Sequence, residues 1–272
     1  MANLAVVTAL SGPDCLIVSD ASNHASLVDA CRLARSRVVV TPHGDLGAAE
    51  SALTERTERR ALVVVDAINS ADGDLLPLAE WHAVTRRFGA LLVIDDAHGV
   101  GVRGAGRGAV AEAGIAGEPD VVTTVTLSKS LGAQGGAALG SQLVIDHLID
   151  TARSFIFDTG LNPAAVGAAL AATAIVATEP QLARAVLARA ADLAVASGSA
   201  VTDSAVIPVI IGDAQRAYDV AQVLLGMGIH VGCFRPPSVP AGTSRLRVTA
   251  RATLTDSEID RYSRAIQAAL SA

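Results

Sequence analysis

The stretch VVTTVTLSKSLGAQGG, residues 121–136, runs from β-branched residues into Thr126, Ser128 and Lys129 and then into a glycine-containing loop. A short apolar run cut off by polar residues and glycine reads as a buried strand whose carboxyl end is open to a ligand. Back along the chain the same texture returns at 15–18, 37–40, 61–65 and 91–94, with helical spacing between at 27–34 and 78–87, and a helix is expected at the very start. Strand and helix in alternation predict a mainly parallel sheet with helices on both faces. Forward of Leu139 the chain turns to Ala-rich helical stretches at 141–152, 163–177 and 181–195. A second mixed region follows, with strands near 205–211, 230–234 and 245–249 and helices near 214–225 and 255–270. The expected architecture is α/β: a large domain over residues 1–165 and a smaller C-terminal α+β domain over 166–272.

Composition narrows the classes of function. With 272 residues, 51% hydrophobic and only 18% charged, the chain has enough apolar surface for a substantial core, which excludes a disordered protein. Aromatics make up 3%, so that core is built from Ala, Val, Leu and Ile. A net charge of −6 with scattered arginines leaves no basic stripe for nucleic acid, and a small-molecule partner is expected instead. Three cysteines, Cys15, Cys31 and Cys233, are too few and too far apart for a disulfide framework, which suits a reducing cytoplasm. The opening MANLAVVTALSG has no basic flank and no apolar run reaches membrane length, so neither export nor a membrane partner is expected.

In open parallel sheets ligands bind outside the carboxyl ends of the strands, so the polar residues that end the apolar runs are the candidates. They are Asn23 and His24 after CLIVSD; Ser70, Asp72 and Gly73 after ALVVVD; Asp95, Asp96 and His98 at the end of LLVIDDAH; and Thr126, Ser128 and Lys129. Most single lysines are solvated surface charges. Lys129, however, is the sole lysine of the chain, every other strong base being arginine, which cannot form a Schiff base. A pyridoxal phosphate (PLP) enzyme also needs a carboxylate beside the pyridine nitrogen, and an Asp at a strand mouth such as Asp95 suits that role. His98 can reach the same pocket from the next turn and His24 can lie over the ring. The glycines of GVGVRGAGRG, residues 99–108, lack the strand-to-helix order of a dinucleotide fingerprint and read as a flexible turn. The pair Gly135 and Gly136 reads as a tight passage after Lys129. A metal on Asp95, Asp96 and His98 is a minor alternative, since no further ligands match, and no metal is expected.

At this point several segments are recognisable in order: SNHASLVDA (22–30), SADGDLLPL (70–78), LLVIDDAHGVGVRGAGRG (91–108), TLSKSLGAQGG (126–136) and RPPSVPAGTSRLR (235–247). Together they resemble the α-oxoamine synthases, fold-type I PLP enzymes that join an amino acid to an acyl thioester with loss of CO₂. The last segment looks most like the branch that condenses L-alanine with a pimeloyl thioester, on CoA or a carrier protein, in biotin biosynthesis. Branches using glycine or serine usually differ just before the V-P-x-G turn, and they remain an alternative.

The resemblance implies an aminotransferase-like large domain, a PLP cofactor and a homodimer with shared active sites. Lys129 would hold PLP as a Schiff base and carry protons, Asp95 would pair with the pyridine nitrogen, and His98 and Ser70 would bind the ring's phenolic oxygen. His24 would stack on the ring beside the substrate, Thr126 would bind the phosphate, and Thr159 would reach the phosphate in the neighbouring subunit. Arg247 would hold the amino-acid carboxylate, with Arg235 and Ser238 close to the acyl substrate.

Three departures accompany the resemblance. Members of the group carry a long segment before the point where Met1 stands, which implies that the phosphate-binding turn and upstream substrate elements lie outside this chain. Asp158 stands beside Thr159 where relatives often have a hydroxyl, and Asn69 where a bulkier side chain is common. A non-catalytic homologue that keeps the fold and PLP or dimer binding is therefore the second expectation.

Overall fold

Five runs that are apolar on both sides become neighbouring strands: β1 (Cys15–Asp20), β2 (Arg37–Thr41), β3 (Arg60–Asp66), β4 (Leu91–Asp95) and β5 (Val121–Thr126). A sixth, β6 (Gly136–Leu139), completes a sheet of order β2-β1-β3-β4-β5-β6, in which all pairs are parallel except β5 with β6. Successive side chains of a strand point to opposite faces. Cys15, Ile17, Leu62, Val64, Val93 and Val122 share a core with Val6, Val7 and Leu10 of α1 (Ala2–Leu10), Leu27 of α2 (Ala25–Leu33) and Leu148 of α6 (Gln142–Thr151). The intervening Leu16, Val18, Val63, Val65, Leu92 and Ile94 are just as buried, so the other face is covered too, as a parallel sheet requires. The remaining helices here are α3 (Leu46–Thr54), α4 (Leu78–Arg87), α5 (Ala109–Glu112), α7 (Arg153–Ile156) and α8 (Pro163–Thr178).

This computed structural model describes residues 1–271 and divides into two units, one of residues 1–69 and 76–179 and one of residues 70–75 and the described residues from 180 onward. The texture of the sequence places the boundary at 165/166; in the structure Pro163–Thr178 falls with the first unit and the chain crosses at Glu179 and Pro180. The second unit holds α9 (Gln181–Ser197), β7 (Val206–Gly212), α10 (Ala214–Gly226), β8 (Gly232–Phe234), β9 (Ser244–Thr249) and α11 (Asp256–Ser271). Its antiparallel sheet has the order β7-β9-β8. Ile207, Leu224, Leu246 and Ile266 are fully buried in it, and Ser197 Oγ lies 2.7 Å from the Tyr262 hydroxyl where α9 meets α11.

Two elements carry no signature in the spacing. β6 is Gly-Ala-Ala-Leu, residues of weak strand preference, and exists because Thr126 to Thr123 offer it a ladder. α3 buries only Ala49 and Leu53, and its N-terminus is held by Asp45, whose carboxylate accepts from Ala48 N at 2.9 Å. Among the described residues no single helix is long and apolar enough to cross a membrane.

Candidate active site

The carboxyl edge of the large sheet is a row of polar strand ends: Asp20, Thr41, Asp66, Asp95 and Thr126. Packing gives each acid a different task. Asp20 is buried and fully engaged, accepting from Ser22 N (2.7 Å) and Gly44 N (2.8 Å) and pairing with His43 Nδ1 (2.9 Å), so it clamps the loops after β1 and β2. Asp66 lies opposite Asp95 in the β3/β4 register. Its Oδ2 accepts from His24 N at 2.9 Å, while Oδ1 is buried without a partner. Burial, and then the charge of Asp95, push the Asp66 carboxyl well above its ordinary value. Of the two, Asp66 is the one whose surroundings favour the protonated form.

Asp95 carries a donor on each of its oxygens. One oxygen accepts from Ala97 N (2.9 Å) and the other from Asn3 Nδ2 (2.7 Å). Asn3, on α1, is itself buried; Thr124 Oγ1 donates to its Oδ1 at 2.5 Å, and its Nδ2 also donates to Ser26 Oγ at 2.8 Å. Ser26 Oγ in turn sits 2.8 Å from His24 Nδ1, where His24 caps α2. Sequence reasoning found Asp95 and His24 and missed Asn3, Ser26 and Asp66. Asp66 had a signal, as the last residue of LVVVD; Asn3, 92 positions from its partner, had none.

Lys129 follows β5 in an exposed turn, its carbonyl accepting from Gly132 N at 3.0 Å. Its charge acts on Asp66 and opposes the upward push there, so the lysine, Asp66 and Asp95 share one electrostatic neighbourhood. Thr126 Oγ1 and Ser128 Oγ lie 2.9 Å apart at the same strand end. Ser130 Oγ donates to Val100 O at 2.7 Å and ties this turn to the one after His98. Gly135 closes the loop at φ +114°, and Leu127 N donates to its carbonyl at 3.0 Å, as the tight-passage reading requires.

His98 is half-buried at the start of the glycine-rich turn. Residues 99–108, read from sequence as a flexible turn, are held from inside: Val100 and Arg107 bridge, and Gly101 N donates to Gly106 O at 2.8 Å. Asp96 is buried beneath them and accepts from Val110 N at 3.2 Å; burial pushes its carboxyl to about 7. A Cβ on Gly108 would stand 2.3 Å from Asp96 Oδ2, so the acid and the glycine require each other. Asp96 thus serves the turn. Among the described residues the acid and histidine cluster close enough to share a cation is His82, Glu118 and Asp120, and there Arg86 already pairs with both carboxylates.

Ser70, Arg235, Ser238 and Arg247 belong to the second unit. Arg247 NH1 donates to Ser70 O at 3.1 Å, and its guanidinium lies over the Phe234 ring at 5.2 Å with Nε buried and unpartnered. Neighbouring Arg245 pairs with Asp72. Arg235 stacks over Tyr218 at 4.9 Å, and its carbonyl accepts from Ser238 N at 2.9 Å. Thr159, in the first unit, is exposed, with its N–H on Asp158 Oδ1 at 2.8 Å.

The donor set of the first unit fits a pyridine ring bearing an aldehyde and a phosphate. Asp95 has one donor on each oxygen and so keeps acceptor capacity for a ring N–H, Lys129 offers a primary amine, and Thr126 and Ser128 offer hydroxyls.

Comparison with known proteins gives a matching picture. The model of the family "Aminotransferase class I and II" matches residues 1–266. The 8-amino-7-oxononanoate synthase of Mycolicibacterium smegmatis is 63% identical over 262 residues, covering 95% of this chain and 68% of that protein. The synthase of that name from Mycobacterium sp. (strain KMS) is 60% identical over 273 residues, covering 100% of this chain and 72% of that one. Among solved structures, Sphingomonas wittichii serine palmitoyltransferase superposes with a TM-score of 0.93 at 30% identity, over 98% of this chain and 69% of that one.

Proposed function

Because the chain belongs to the class I and II aminotransferase family, in its α-oxoamine synthase branch, we propose that it makes 8-amino-7-oxononanoate from L-alanine and a pimeloyl thioester, a step of biotin synthesis. The reaction joins the alanine α-carbon to the acyl carbonyl, releases the thiol and loses CO₂. The observation that carries this reading is the placement of the sole lysine and of the buried, doubly bonded Asp95 carboxylate at the ends of neighbouring parallel strands.

The cofactor, pyridoxal 5′-phosphate, supplies an aldehyde for the alanine nitrogen and a protonated ring that draws electrons from the α-carbon. Asp95 keeps the ring nitrogen protonated, and its two fixed donors hold it in place for that task. Lys129 anchors the cofactor at rest and then takes the α-proton of alanine as general base. Thr126, with Ser128 beside it, offers hydroxyls to the phosphate, His98 binds the ring oxygen and His24 covers the ring. In the second unit, family likeness gives Ser70 the ring oxygen, Arg247 the alanine carboxylate, and Arg235 with Ser238 the acyl substrate. The unpartnered Nε of Arg247 supports its part.

A homodimer suits the surface of the first unit. α8 is apolar along nearly its whole length, yet only Ala169 is buried, and Leu143, Phe155, Phe157 and Leu170 are exposed. A helix apolar all round is stable in water when something covers it. A second copy does so in this reading, and Thr159 then reaches the neighbour's cofactor. The unpaired Cys15, Cys31 and Cys233 suit a cytoplasmic setting.

The deciding experiment incubates the purified chain with PLP and borohydride, maps the modified peptide, and measures thiol release from pimeloyl-CoA with alanine. A reduced adduct on Lys129 together with alanine-dependent thiol release is expected. The absence of both signals from folded protein would overturn the reading, and an adduct without turnover would point to a non-catalytic homologue.

A further inference from the structure

Asn3, Ser26, His24 and Asp95 form one connected chain of hydrogen bonds, and its donors and acceptors can be assigned throughout. The Asp95 carboxylate oxygen 2.7 Å from Asn3 requires the amide NH₂ on that side, because the reversed amide would set oxygen against oxygen. The Asn3 carbonyl oxygen then faces Thr124 Oγ1, a donor, at 2.5 Å. The second amide hydrogen goes to Ser26 Oγ at 2.8 Å, which commits that hydroxyl to accepting there. Its own hydrogen is left for His24 Nδ1, 2.8 Å away. Ser26 N–H also points at Nδ1, at 3.2 Å. A proton on Nδ1 would place two N–H groups head to head, so Nδ1 is an acceptor and the proton of the neutral ring is on Nε2.

We propose that Asn3 is a positioning residue that sets two groups of the site at once: it fixes the Asp95 carboxylate and, through the Ser26 hydroxyl, holds His24 in the tautomer that presents Nε2–H outward. His24 then offers a ligand a donor and no base, so it selects acceptor oxygens such as carboxylate or carbonyl, and proton removal falls to Lys129. The part concerning bound substrate rests on the synthase reading above; the tautomer does not.

The test uses the full chain without cofactor, with ¹⁵N-labelled histidine. In the wild type at pH 8 the two-bond spectrum of His24 should show Nδ1 unprotonated and Nε2 protonated. Ser26→Ala removes the 2.8 Å hydroxyl contact and leaves only the longer Ser26 N–H on Nδ1, so it should shift His24 part of the way toward a mixture of tautomers; Ser26→Thr, which keeps a hydroxyl, should restore the wild-type pattern, and Asn3→Ala should move it in the same direction as Ser26→Ala. With cofactor and substrates, Asn3→Ala should lose about tenfold in kcat, Ser26→Ala somewhat less, and the double variant no more than Asn3→Ala alone, because both act through one chain. Unchanged thermal melts separate these effects from misfolding; if Asn3→Ala fails to fold, the Ser26 pair still decides. A wild-type His24 protonated on Nδ1, a tautomer indifferent to Ser26→Ala, or additive losses would overturn the proposal. Correct tautomers in a protein without thiol release would instead overturn the synthase reading and leave the network standing.

Discussion

Asp66 and Asp95 end neighbouring parallel strands directly opposite one another, and among the described residues the only hydrogen bond to the Asp66 carboxyl comes from His24 N, whereas Asp95 holds donors on both oxygens. Two carboxylates so placed cannot both ionise cheaply, and burial pushes the less hydrogen-bonded one, Asp66, toward its protonated form.

That asymmetry sets a pH dependence. Asp66 has a folded-state pKa raised by burial and by Asp95, so its contribution to stability is fully present below the unfolded value of about 4 and is lost as pH rises through the folded value. Asp96, pushed to about 7 by burial, acts in the same direction between about pH 4 and 7. Each proton gives a slope of at most about 1.4 kcal/mol per pH unit. Urea unfolding of the cofactor-free protein from pH 5 to 8 should therefore show stability falling as pH rises. Asp66→Asn, which keeps an acceptor for His24 N and cannot ionise, should flatten one share of that fall; an unchanged slope would mean that Asp66 is ionised in the folded protein.

Asp95→Asn tests the ring partner. The amide keeps the shape and cannot hold a proton on a pyridine nitrogen, so kcat should fall on the order of a hundredfold or more while the fold survives. Cofactor affinity, followed by absorbance titration, should weaken as well. Near-normal turnover would remove Asp95 from the proposed role.

Gly135→Ala tests the loop that carries Lys129. The residue sits at φ +114°, and a Cβ there would come within 2.6 Å of Leu161 Cδ1, so about 1–3 kcal/mol of stability should be lost. Because Leu127 N is bonded to the Gly135 carbonyl, the lysine turn should shift too, and the yield of the borohydride adduct at limiting PLP should drop with the unfolding midpoint.

Leu143 and Leu170, 81% and 73% exposed, test the apolar face. Sedimentation of the wild type should show a dimer, and the double change Leu143→Asp and Leu170→Asp should weaken it at least about tenfold while raising solubility of the monomer. A wild type that sediments as a monomer at high concentration would refute the homodimer.

The order of the long strands and helices, the parallel sheet and the polar carboxyl edge were legible in the sequence, because apolar periodicity and the residues that interrupt it are local properties of the chain. Asp95, His98, His24, Thr126 and Lys129 were found the same way, each at a strand end or the turn after it. β6 was not, because Gly-Ala-Ala-Leu has no strand preference of its own and takes its conformation from β5. Nor was Asn3, whose value comes from three partners, Ser26, Asp95 and Thr124, brought beside it by packing α1 on the sheet. The sequence alone thus determined which chemical groups the chain has and at which end of the sheet they gather. Only the tertiary structure decided which acid is pushed toward its protonated form and which nitrogen of His24 faces the Ser26 donors. Those states depend on burial and on hydrogen bonds across tens of residues, and no pattern along the chain encodes either.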